Sequence, residues 1–127
     1  MVYFVFRSLS AFLVSLLSGI LIDVDHILDY YIERGVTLKI KNVYLWCMEK
    51  NFKMVFLVFH SLELLFMLWI GISVFKLGIF WTAIAIGITQ HMILDIFFNK
   101  NVLYAYSYFL SFRIIKGLRR ERICRQF

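Results

Sequence analysis

The segment DVDHILD at positions 23–29 places Asp23, Asp25, His26 and Asp29 within seven residues, directly after an apolar run. Two other places combine the same chemistry. His60 and Glu63 are spaced i, i+3, and His91 and Asp95 are spaced i, i+4; on a helix, members of each pair share a face. Imidazole and carboxylate are ligands for divalent cations. A metal held by mixed nitrogen and oxygen donors with one position left open can lower the pKa of a bound water to about 7, which supplies a hydrolytic nucleophile.

The surroundings make these groups conspicuous. The 127 residues are 62% hydrophobic and only 17% charged, with no proline, so the composition excludes an ordinary soluble domain. An aspartate at the centre of a membrane helix costs at least about 2.5 kcal/mol. Carboxylates set deep in apolar runs therefore need an offsetting charge, and a divalent cation provides one. The net charge of +6 reads as membrane orientation, and no nucleic-acid motif accompanies it. Cys47 and Cys124 are far apart and outside any C-x-x-C pair, so they read as free thiols.

The elements that carry the site follow from runs of about 20 apolar residues. The pattern predicts an all-α, polytopic membrane protein, 1–127 forming one integral membrane domain. Three spans are expected at 2–22, 54–75 and 77–98, and a fourth segment at 102–115 either spans or lies in the interface. A basic tail, 113–127, closes the chain; between 113 and 125 it holds six Lys or Arg and one Glu. The first span lacks a small-x-small cleavage site and reads as a retained helix. The 35–53 segment reads as an interfacial loop, and Lys76 with Gly78 as a tight turn.

Threading the spans gives all three histidines one depth. His60 lies about 9 Å from one end of its helix and His91 about 10 Å, at a rise of roughly 1.5 Å per residue. Five of the eight acids join this layer: Asp23, Asp25, Asp29, Glu63 and Asp95. Residues 64–89 hold Lys76 as their sole ionisable side chain. The expected metal ligands are Asp23, Asp25, His26, His60, Glu63, His91 and Asp95. Asp23 and Glu63 double as candidates for the general base, and Asp29 supports the ligands from behind. Zinc is the first choice of cation, manganese or iron the alternatives.

The segments DVDH (23–26), FHS (59–61) and HMILD (91–95), in this order on a small helical membrane protein, resemble the membrane-bound metal-dependent hydrolase family, the LexA-regulated, YdjM-like group. That family has a P-D-x-D-H segment, a segment ending in H-S and a later H-x-x-x-D. Ile22 stands at the proline position. Val55 stands where the second motif often has a further histidine, a donor that Glu63 can replace. The resemblance implies one or two divalent ions and a hydrolytic activity.

The leading function is thus a membrane-embedded metal-dependent hydrolase acting on an amphiphilic, lipid or lipid-linked substrate such as a phosphoester. A non-enzymatic metal-binding or metal-transport protein is the alternative, although residues 64–89 offer transport no polar path. The bland reading is a structural protein whose His and carboxylate groups pair with one another. Arg34, Lys39, Lys41, Lys50, Lys53 and Lys100 fall on the metal-site side of the membrane, Arg7 and Lys76 on the other. By the positive-inside bias the site faces the cytoplasm of a multi-pass cell-membrane protein.

Overall fold

A computed structural model describes residues 7–36, 41, 43, 45, 53, 54, 56–98, 105–119 and 123. Residues 1–6, Lys39, Lys50 and Cys47 of the 35–53 segment, Val55, Lys100, the start of the 102–115 segment, and Cys124 with most of the tail beyond 119 lie outside the described residues. Among the described residues the fold is all-α: five helices and one short 3-10 turn, with one isolated bridge between Met54 and Arg119 and no strand. Helix α1 spans Leu9–Leu21, α2 Val24–Arg34, α3 Leu62–Phe75, α4 Ile79–Phe98 and α5 Leu110–Ile115, the last preceded by a 3-10 turn at Ala105–Tyr108.

By contacts the chain divides into two compact units. One comprises Met1–Ile22 and Leu62–Asn99, the other Asp23–Ser61 and Lys100–Phe127.

In the first unit α1 and α3 pack on α4. Helix α1 starts at Ser8, whose hydroxyl accepts the Ala11 N–H at 3.2 Å, satisfying one orphan donor of the first turn. The packed faces are built from small residues: Ala11 and Ser15 on α1, Ala83, Ala85 and Gly87 on α4. Many large apolar side chains point outward, among them Leu13, Leu16, Leu17 and Ile20 on α1 and Phe80, Trp81, Phe97 and Phe98 on α4, while Met92 on α4 is buried. Gly87 is required by the approach itself. A Cβ there would collide with the Ser15 carbonyl oxygen, a backbone atom that cannot swing aside. The Ser18 hydroxyl donates to the Ser15 carbonyl at 2.9 Å and lies 3.3 Å from the Ile84 carbonyl across the seam. Trp69 on α3 donates to Thr89 on α4 at 3.2 Å. The α3–α4 connection falls at 76–78, where Lys76 adopts a left-handed φ of 50°.

Among the described residues, two helical stretches are long and apolar enough to cross a membrane: Leu9–Arg34, broken by a turn at Ile22 and Asp23, and Ile79–Phe98. The expected span at 54–75 is not confirmed as a single helix. Its helix covers only Leu62–Phe75, 14 residues and about 21 Å at the standard rise. Residues 56–61 are irregular, because side chains elsewhere in their unit take the backbone groups a helical ladder would use. The expected segment at 102–115 also shrinks. Its described part is a four-residue 3-10 turn followed by the six-residue α5, too short to span.

Candidate metal centre

The second unit buries charged side chains. Helix α2 is amphipathic: Asp25, Asp29 and Tyr30 are buried, whereas Leu28 and Ile32 face outward. Asp25 and Asp29, four residues apart, present their carboxylates to the irregular segment 56–60. Asp29 accepts the N–H of Phe56 at 3.1 Å and of Leu57 at 3.4 Å. Asp25 Oδ2 accepts the N–H of Phe59 and, at 3.0 Å, that of His60. Charged acceptors make stronger hydrogen bonds than neutral ones, so one helix face fixes four backbone amides of a loop.

The same carboxylate orients the imidazole. Asp25 Oδ2 lies 3.4 Å from His60 Nδ1, and on the far side of the ring His60 Nε2 lies 3.5 Å from Asp23 Oδ1. The His26 ring sits 5.3 Å from that of His60, tilted at 51°. Asp23, His26 and His60 each offer a ligand atom within 4.8 Å of the other two. His60 is 2% exposed and Asp25 1%, while Asp23 is 53% exposed, so the group is closed on one side and open on the other.

Two observations test whether this group fits a cation. Two imidazoles and a carboxylate form a donor set used by zinc and iron sites, with coordination positions left over. A carboxylate behind one imidazole is the usual support for a metal-ligating histidine, fixing ring and tautomer. The residues fit.

The predicted site residues fall as follows. Asp23, His26 and His60 come together as potential ligands. Asp25 is buried beneath them; its Oδ2 serves the loop and the His60 ring, while its Oδ1 is buried with no hydrogen-bond partner among the described residues. Asp29 holds the loop through the backbone amides of Phe56 and Leu57. Asp23 makes no side-chain cap to α2. The predicted i, i+3 face shared by His60 and Glu63 does not form, since His60 precedes the helix and Glu63 lies in its first turn. Glu63, His91 and Asp95 belong to the first unit, where His91 Nε2 and Asp95 Oδ2 form an i, i+4 pair at 3.6 Å.

Arg113 was missed. Sequence reading places it at the head of a basic tail, but it is 2% exposed. Its guanidinium donates to the carbonyls of Phe56 at 2.6 Å, Leu57 at 2.8 Å and His60 at 3.0 Å. The available signal was its position inside the run SYFLSFRII, where an unpaired cation would be costly.

No family model, no curated protein and no solved structure matches this chain.

Proposed function

We propose that the chain is a multi-pass membrane protein whose Asp23, His26 and His60 hold a divalent cation, zinc by preference, and that the centre hydrolyses an amphiphilic substrate, as its resemblance to membrane-bound metal-dependent hydrolases implies. The convergence of three donor atoms within 4.8 Å carries the reading. A divalent cation there would supply Lewis acidity, polarising an electrophile and acidifying a water molecule. The protein's own contribution is orientation. Asp25 holds the Nδ1 side of His60, which leaves Nε2 directed at Asp23. Asp23 stands on the open side, where a carboxylate can take a proton from an attacking water.

The membrane reading draws support from the inside-out packing of the first unit. A soluble helix pair buries its leucines and exposes its serines; α1 does the reverse, as expected where lipid covers the outer faces and small residues let backbones approach. Helix α3 is shorter than the roughly 30 Å hydrocarbon core. A third crossing at 54–75 would set irregular backbone at membrane depth, which is tolerated only where protein or enclosed water satisfies it. Asp25, Asp29 and Arg113 meet that condition. The positive-inside bias of the lysines and arginines in the 34–53 segment supports a cytoplasmic orientation for the site.

Elemental analysis of full-length protein purified without chelator and then equilibrated with Zn2+ tests the centre. About one or two equivalents are expected in the wild type, with near-complete loss in His60→Ala and His26→Ala. Wild-type protein that takes up no metal overturns the reading. Bound metal without cleavage of any lipid phosphoester would leave a non-enzymatic metal-binding protein.

A further inference from the structure

The five residues 56–60 are held by opposite charges on their two kinds of backbone group. The amides of 56, 57, 59 and 60 donate to the carboxylates of Asp25 and Asp29. Their carbonyls at 56, 57 and 60 accept from one buried guanidinium, that of Arg113. We infer that Arg113 is a positioning residue for His60, and that the described segment 105–119 is therefore a working part of the metal centre rather than a surface tail. This rests on the reading of Asp23, His26 and His60 as a metal centre.

The geometry is specific to His60. Its N–H goes to Asp25, its carbonyl to Arg113 and its Nδ1 faces Asp25. Backbone fixed on both sides of Cα leaves the side chain two torsions, and the Nδ1 contact restrains those. The ligand is thus preorganised, and little freedom is left to lose when an ion binds. Leu57 shows how firmly the loop is held. It sits at φ 39°, a left-handed conformation that a non-glycine residue keeps only where its surroundings over-determine it. Its N–H is taken by Asp29 and its carbonyl by Arg113.

Arg113 is itself anchored. Helix α5 ends in a Schellman motif: Leu118 N–H bonds the Arg113 carbonyl at 2.8 Å, Gly117 N–H bonds that of Ile114 at 2.9 Å, and Gly117 takes the required φ of 72°. Two nitrogens of the planar fork serve the carbonyls of residues 56, 57 and 60 together; a lysine ammonium offers a single nitrogen with a different reach.

The test uses full-length protein in detergent micelles, comparing wild type with Arg113→Lys and Arg113→Gln. Amide hydrogen exchange over 56–60 is read in metal-free protein, and affinity for Zn2+ and Co2+ by competition with a chelator, together with the visible spectrum of the Co2+ form. Both variants are expected to lose loop protection by about tenfold or more, as fits loss of a charged hydrogen-bond donor. Metal affinity should fall about 10- to 100-fold, the usual effect of removing a group that supports a ligand from behind. The Co2+ spectrum should change while α4 amides keep their protection. Should Arg113→Gln fail to fold, Arg113→Lys carries the same readouts. Loop protection lost with metal affinity and Co2+ spectrum at wild-type values would make Arg113 merely structural and overturn the inference, as would unchanged protection. Wild-type protein that binds neither ion sinks the metal centre itself, a failure seen without any Arg113 variant.

Discussion

Ser15 and Asp25 are ten residues apart, and both are buried. Their neighbourhoods solve the same problem in opposite ways. Around Ser15 every backbone group belongs to a helix, so burial needs only small side chains and a close approach. Around Asp25 the buried chain is irregular, and charged side chains satisfy the backbone instead. The first arrangement turns large apolar side chains outward and, among the described residues, leaves no buried charge around Ser15. The second concentrates carboxylates, imidazoles and a guanidinium in one unit. Buried charge of this kind is weak evidence for stability, because desolvation offsets much of the attraction. It is better understood as holding a loop in a shape its own sequence would not choose.

Removing a proposed ligand should separate the two regions most sharply. His60→Ala and His26→Ala are expected to abolish stoichiometric Zn2+ binding while leaving helix content, read by far-ultraviolet circular dichroism, within error of wild type. Retained metal in both variants would remove the second unit's claim to chemistry. Running His91→Ala alongside shows whether the His91–Asp95 pair contributes to the metal or is an intrahelical pair alone.

The complementary break lies at Gly87. Gly87→Ala drives a methyl into the Ser15 carbonyl, and overpacking of this kind costs about 1–3 kcal/mol, occasionally more. Unfolding in mixed micelles should show that loss, while the protein that remains folded keeps wild-type metal affinity. A neutral Gly87→Ala would mean that α1 and α4 do not approach as closely as their backbones indicate.

Asp25→Asn should give a smaller, mixed effect that sharpens the contrast. The amide oxygen can still accept loop N–H groups, but the charge is gone and the His60 ring loses its anionic support. Metal affinity is expected to drop about tenfold or more, with stability changing by about 1–3 kcal/mol in either direction as lost charge-assisted bonds compete with relief of desolvation. Unaltered affinity would detach Asp25 from the centre.

These contrasts explain what the sequence disclosed. DVDH and FHS were visible because aspartate and histidine are expensive in apolar surroundings, and the structure does bring Asp23, His26 and His60 together. Helices α1 and α4 were visible as apolar runs, and the 76–78 turn as a lysine and a glycine between two of them. The irregular 56–61 segment was not, because KMVFLVFHS contains no proline or glycine and nothing local stops a helix there. What stops it is distant: two carboxylates on α2 and the guanidinium of Arg113 compete for its backbone groups. Hydropathy sums over side chains and is blind to that competition. Arg113 was hidden for the converse reason. Its charge resembles that of Lys116 and Arg119 nearby, and only its apolar flanks and the Gly117 helix stop set it apart.

The smallest effect is expected at Ser18, and its smallness is the informative part. The hydroxyl has one hydrogen to share between the Ser15 carbonyl at 2.9 Å, within its own helix, and the Ile84 carbonyl at 3.3 Å on α4. The shorter contact does not cross the seam, so the interhelical share is weak; side-chain bonds between membrane helices average about 0.6 kcal/mol even when well formed. Ser18→Ala also gains helix propensity of a few tenths of a kcal/mol, to about 0.5. The two nearly cancel, and unfolding should change by less than about 0.5 kcal/mol. If the seam is held by close backbone approach, Ser18→Ala should also fail to rescue Gly87→Ala, because the obstructing atom is the Ser15 carbonyl oxygen and it stays in place. A double variant restored to wild-type stability would instead make the Ser18 hydroxyl the obstacle, and the first unit would depend on a polar side chain after all.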